Sequence, residues 1–141
     1  MKISDDGLEL IKQFEGLRLM AYQDAVGIWT IGYGSTDRVS PGMRITQVQA
    51  NERLKEDVHH AEICVDKSVS VPLTQGEFDA LVSFVFNLGC AKFRGSTLLR
   101  LINDGRMDDA ELEFARWDKA GGKVLAGLTA RREAEAKRFE A

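Results

Sequence analysis

Two carboxylates and a hydroxyl stand out near the start of this 141-residue chain: Glu15, Asp24 and Thr30. Hydrolysis of a glycosidic bond asks for a proton on the leaving oxygen and support for a cation-like sugar in the transition state. Two carboxyl groups supply both when their environments differ, one staying protonated and the other ionised. Glu15 follows Phe14 at what reads as a helix end, where apolar neighbours favour its proton-bearing form. Asp24 falls on a turn, where solvent and backbone donors keep it charged. Thr30 falls in a strand, and its hydroxyl can accept one hydrogen bond and donate another, which suits holding a water. Helix end, turn and strand together can aim three side chains at one cleft. Acids nine residues apart are nonetheless common and most are surface charges, so the residues alone leave the surface reading open.

The elements that must position these groups follow from the pattern on either side. Ser4 can cap a helix whose first turn holds Asp5 and Asp6, with Leu8, Ile11 and Phe14 on one stripe and Gly16 as the stop. Residues 17–39 are short, alternating and glycine-punctuated. They predict strands near 18–22, 28–33 and 36–39. Pro41-Gly42 breaks the chain. Thr46 to Gln49 and Thr74 to Glu77 each read as a capping box opening a helix. The second of these helices, from Phe78 to Leu88, is apolar nearly all round, as expected of a buried central helix. Ser96 or Thr97 starts another over 97–103. Asp108 opens one towards Trp117, Gly121-Gly122 is a sharp loop, and 129–139 form a charged terminal helix. The chain is therefore α+β and mostly α, with a β unit too small to bury itself unless it leans on a helix.

Bulk properties narrow the function classes. The net charge of −3 argues against a partner bound by phosphate neutralisation, so no nucleic acid is expected. Residues 1–90 carry 8 Lys and Arg against 13 Asp and Glu, whereas residues 91–141 carry 11 against 9. Helix faces in solvent account for that asymmetry as well as an anionic partner does. Cys64 and Cys90 are too few for a disulfide framework and read as two free buried thiols. His59 and His60, adjacent on a helix, cannot face one metal together. No run approaches the apolar length of a membrane span, and MKISDDGLEL lacks the pattern of a signal peptide. The chain is expected to be soluble, without membrane insertion of its own.

The block EGLRLMAYQDAVGIWTIGYG, with Glu15, eight residues, Asp24, five residues and Thr30, resembles the Glu-Asp-Thr triad block of the phage-type lysozymes, glycoside hydrolase family 24. FNLG at 86–89, STLLRLIN at 96–103 and FARWDKAGGKVLAGLTARREAE at 114–135 resemble later blocks of the same family, so the similarity covers essentially the whole chain. It is nearest to endolysins of tailed phages and prophages of Gram-negative hosts. The resemblance implies a single lysozyme-like domain over 1–141 with two lobes. The small lobe, with the β-hairpin sheet and the acids, would run over about 14–66; the helical lobe, over about 1–13 and 67–141, would surround the buried central helix.

By that resemblance the activity is a muramidase. It hydrolyses the β-1,4 bond between N-acetylmuramic acid and N-acetylglucosamine in peptidoglycan, with no metal or other cofactor. Glu15 would be the general acid. Asp24 would stabilise the sugar cation and help activate a water held by Thr30, with inversion as the outcome. Phe86, Asn87 and Ser96 match positions that line the sugar cleft. The protein would act as a monomer, wait in the host cytoplasm for a holin to open the membrane, and then reach the periplasm and wall. A lytic transglycosylase and a non-catalytic wall-binding module on the same fold are the alternatives. Where many members carry histidine after the T-I-G-Y-G run, this chain has Ser35, so a histidine–carboxylate pair is missing there. Tyr22, Trp29 and Tyr33 fit sugar stacking or packing equally. Trp117 reads as core. Arg131 and Arg132 fit either a grip on muramyl-peptide carboxylates or surface pairs with Glu133 and Glu135.

Overall fold

The computed structural model describes residues 1–141. In chain order the elements are α1 (Asp5–Glu15), β1 (Arg18–Gln23), β2 (Trp29–Gly32), α2 (Gln47–Ser68), α3 (Gln75–Leu88), α4 (Cys90–Arg94), α5 (Thr97–Asn103) and α6 (Met107–Glu113). A 3-10 turn (Phe114–Arg116), β3 (Lys119–Ala120), β4 (Lys123–Val124) and α7 (Ala126–Glu140) complete the chain. Two compact units result. One comprises Lys12–His59; the other comprises Met1–Ile11 and His60–Ala141.

In the Lys12–His59 unit, β1 and β2 form an antiparallel hairpin that pairs Tyr22 with Thr30 and Gln23 with Trp29, with a bulge between Arg18 and Tyr22. The third strand expected over 36–39 is absent. Gly32 (φ 66°) and Gly34 (φ 82°) fold the chain back on itself, and Ser35 pairs with Ile31 in both directions at 2.9 Å. The free edge of β1 is taken instead by residues 43–45: the Ala21 N–H donates to Met43 O and the Ile45 N–H to Leu19 O, both at 2.9 Å. The Thr46–Gln49 capping box is formed, with bonds of 2.9 and 3.2 Å, and starts α2. Ile31, Ala50, Leu54 and Val58 are buried.

In the other unit the Thr74–Glu77 box opens α3, whose residues Phe78 to Val85 are all buried, and α3 packs on α7. Phe84 sits at the middle of an aromatic cluster. The rings of Phe93, Phe114 and Trp117 meet it edge-on with centroids 5.6 to 6.1 Å apart. Each such contact stabilises by about 0.5–1.5 kcal/mol beyond burial. Asp79, fully buried on α3, is satisfied by the Ser4 N–H and hydroxyl, by Gln75 Nε2 at 2.8 Å and by Arg138 Nη2 at 2.8 Å. The first residues of the chain are thereby tied to α3 and α7. A buried carboxylate needs that full set of partners.

In this unit two readings of the sequence need correcting and two features add to it. Cys64 and Cys90 are joined in a disulfide across 26 residues, not left as free thiols. The short α4, between Gly89 and Gly95, has no counterpart in the sequence pattern. Gly121-Gly122 does turn sharply, and the turn closes a two-residue hairpin, β3 with β4. The terminal helix begins at Ala126 rather than 129, because Leu125 takes extended backbone and accepts the first helical bond from Thr129 N–H.

Candidate active site

Glu15 is the last residue of α1. Gly16 then takes φ 72°, which ends the helix, and its N–H closes the final turn on Lys12 O at 3.1 Å. The half-buried Glu15 side chain bears on the turn after β2. A Cβ built on Gly34 would lie 3.2 Å from Glu15 Oε1.

Asp24 and Thr30 grip the same peptide. Asp24 Oδ1 accepts the N–H groups of Val26 and Ile28, both at 2.9 Å. The Asp24 N–H donates to Ile28 O at 2.9 Å, and Gly27, at φ 87°, closes the turn. One carboxylate oxygen thus builds the turn and the other is left over. Thr30 is buried, and its hydroxyl donates to Ile28 O at 2.9 Å. With its hydrogen committed, Thr30 Oγ1 has lone pairs to offer, so a water held there points a proton at Thr30 and an oxygen lone pair elsewhere.

The carboxylate, the hydroxyl and the Glu15 contact therefore share one small scaffold, the Asp24–Gly34 hairpin and turn. Gly34 is where a substitution tests it. Alanine there would force a left-handed backbone on a residue with a Cβ, costing about 1–2 kcal/mol. It would also push on the Glu15 carboxylate. If Glu15 is the acid that the family resemblance implies, Gly34→Ala is expected to reduce the rate of wall clearing by about tenfold or more, since catalytic groups tolerate little displacement. Turbidity loss and thermal unfolding measured on the same sample separate the two effects.

Behind this turn, Ser35 is buried and its hydroxyl takes a partner from α2. Arg53 Nη1 donates to Ser35 Oγ at 3.3 Å and to Asp37 O at 2.7 Å. Asp57 lies one helical turn after Arg53 on the same helix, close enough to Ser35 for the two to interact. Burial pushes the Asp57 carboxyl above its ordinary value, against the pull of Ser35 and Arg53. A carboxyl that binds its proton more tightly when folded adds stability below its unfolded pKa, and that stability is lost as pH rises through the raised folded value. Asp57→Asn removes this dependence. The variant is expected to gain stability relative to the parent as pH rises from about 4 to 7. Denaturant midpoints across that range check it, and a parent that gains on the variant would refute it.

The three residues matched to sugar contacts lie in the other unit. Phe86 and Asn87 are half-buried in the last turn of α3. Ser96 is nearly buried, and its hydroxyl caps α5: it accepts the Leu99 N–H at 3.1 Å and donates to Phe93 O at 2.6 Å. Tyr33 is buried, with Lys12 Nζ 5.6 Å from its ring centre, so it packs. Tyr22 carries the Arg18 guanidinium over its ring at 4.2 Å. Trp117 is half-buried and meets Phe84 edge-on. Arg131 and Arg132 fit neither expectation. Both are buried, and both pair with the fully buried Glu135, at 3.3 and 2.7 Å. Burial pushes the Glu135 carboxyl up, while Arg132, Ser83 and Arg131 pull it back.

Comparison with known proteins gives the family of the chain. The Phage lysozyme family model matches residues 12–135. The endolysin of Acyrthosiphon pisum secondary endosymbiont phage 1 is 47% identical over 144 residues, covering 99% of each chain. The endolysin of Bacillus phage PZA is 49% identical over 96% of this chain, which spans only 54% of that protein. Among solved structures, a mutant of P22 lysozyme has a TM-score of 0.94 at 41% identity, covering 100% of this chain and 99% of that one.

Proposed function

The chain belongs to the phage lysozyme family, and on that premise we propose that it is an endolysin: a muramidase that cuts the β-1,4 bond between N-acetylmuramic acid and N-acetylglucosamine for host-cell lysis. Glu15 protonates the leaving oxygen. The free oxygen of Asp24 faces the developing positive charge and draws a proton from a water whose other proton points at Thr30 Oγ1. Sugar contacts fall to Phe86, Asn87 and Ser96, whose hydroxyl also caps α5.

The observation that supports this most is the shared grip of Asp24 and Thr30 on Ile28, at 2.9 Å each. It fixes a carboxylate and an acceptor hydroxyl on one rigid turn, which a mere wall-binding module does not require. A water placed between acid and base, rather than a covalent sugar, means inversion. The nascent product is then the α-anomer, seen by proton NMR in the first moments of digestion. Mass spectrometry of the fragments separates the alternatives. Hydrolysis gives reducing N-acetylmuramic ends, a transglycosylase gives anhydro ends, and a binding module gives neither.

No helix is long and apolar enough to cross a membrane. The wall lies outside the cytoplasmic membrane, so a protein made in the host cytoplasm meets it once that membrane is opened. A holin is the partner this reading calls for.

A further inference from the structure

Two buried charges in the Met1–Ile11/His60–Ala141 unit converge on one half-exposed amide. Arg132, 1% exposed on α7, donates from Nη2 to Asn87 Oδ1 at 2.8 Å. Its guanidinium is held from several sides: the fully buried Glu135 accepts from Nη2 at 3.1 Å and ion-pairs with Nε at 2.7 Å, and the Phe84 ring lies 5.2 Å from it. The Trp117 carbonyl accepts from Nη1 at 3.5 Å. Glu135 is itself fixed by the Ser83 hydroxyl at 2.6 Å and by Arg131 at 3.3 Å.

Arginine has donors and no acceptor. The atom of Asn87 that meets it must therefore be the carbonyl oxygen, and the NH₂ group must point away. No group of the protein accepts from that NH₂. A buried ion pair is a costly way to gain stability, since well-packed apolar residues do as well. It is a good way to hold a side chain in one orientation.

We propose that Arg132, seated on Glu135, is a positioning residue that turns the Asn87 amide donor-outward, so that Asn87 reads an acceptor oxygen on the glycan, the N-acetyl carbonyl. This rests on the muramidase reading, in which Asn87 meets sugar. The site then favours acetylated glycan. A de-N-acetylated sugar presents an ammonium, which meets a donor with a donor.

Asn87→Asp tests the orientation with little disturbance of the fold. The carboxylate still accepts from Arg132 and presents no N–H. Binding is measured by calorimetry on purified glycan strands, acetylated and chemically de-N-acetylated, in the non-cleaving Glu15→Gln background. The parent background is expected to prefer acetylated strands, and Asn87→Asp to weaken their binding by about tenfold and invert the preference. Arg132→Lys, shown folded by its melting, keeps a charge for Glu135 but not the rigid fork. Its binding of acetylated strands is expected to weaken by about threefold or more. Unchanged preference in Asn87→Asp would overturn the donor assignment, and unchanged binding in a folded Arg132→Lys would overturn the positioning role. Should Arg132→Lys fail to fold, Glu135→Gln, which removes the charge that seats Arg132 and keeps its shape, is expected to weaken binding of acetylated strands by a like factor, and unchanged binding in it would overturn the positioning role. New reducing ends from the parent protein report separately on the muramidase reading, so each can fail without the other.

Discussion

Glu15→Gln is expected to abolish wall lysis and leave the protein folded. Removing a general acid costs about 10²–10⁴ in rate, or about 3–5 kcal/mol of transition-state stabilisation. Glutamine has the same shape and fills the same half-buried place at the end of α1. The helix stop does not depend on its charge, because Gly16 and the bond to Lys12 O close that turn. The unfolding midpoint is therefore expected to move by no more than a few degrees. Asp24→Asn is the companion. Its amide oxygen can still accept the Val26 and Ile28 N–H groups that build the turn, so it removes charge without removing structure. If the two groups act as a unit, the double variant is hardly slower than either single one. Turbidity of a cell-wall suspension and release of reducing ends give the rates. A well-folded Glu15→Gln protein that clears walls at the parental rate would remove Glu15 from the role of acid.

The parts of this site that were legible in the sequence are those set by near neighbours. A glycine after Glu15, an aspartate at the start of a tight turn and two capping boxes each act within a few residues, and each formed where its residues stand. What could not be read depends on distant partners. Residues 36–39 have the composition of a strand, but the edge of β1 is filled by 43–45, and the glycine turn sends the chain elsewhere. Ser35 looked like a lost histidine; its partner Arg53 lies on α2, 18 residues away, and gives it a different contact. Arg131, Arg132 and Glu135 carry the spacing of a solvated helix face, since i,i+3 and i,i+4 pairs look alike on a surface and in a core. The one hint was Ser83, a hydroxyl in the otherwise apolar run of α3, which bonds Glu135.

That last pattern bears on how the two units divide the work. In Lys12–His59 the side-chain bonds of Asp24 and Thr30 span two to four residues and shape the turn between β1 and β2. In the other unit the polar contacts of α3 reach α7, 45 to 59 residues away, and fix the direction of side chains at and near the helix. On the proposed reading the chemistry rests on local backbone geometry, whereas the orientation of Asn87 rests on long-range charge pairing. Substitutions in the first unit should act on rate and those at Arg132 and Glu135 on binding and stability.

The Cys64–Cys90 bond carries the second large expectation, which is for stability rather than rate. It ties the buried Cys64 on α2 to the first residue of α4, and the 26-residue separation encloses the whole of α3. Closing a loop of this size in the unfolded chain is worth about 3–4 kcal/mol on the chain-entropy account. For a chain of this length that is a fall of roughly 10 °C in unfolding midpoint on reduction. Thiols stay reduced in a host cytoplasm and oxidise outside it. A protein made in the cytoplasm must therefore fold first on its core, with Phe84 and its ring partners, and gain the bond afterwards. The reduced form is expected to be folded and active at low temperature, yet to melt well before the oxidised one. Thermal unfolding with and without dithiothreitol, alongside a Cys64→Ser/Cys90→Ser variant, measures the difference. Equal midpoints, together with two titratable thiols in protein never exposed to reductant, would show that the bond does not close in solution and that the sulfurs are the separate buried groups the sequence first suggests.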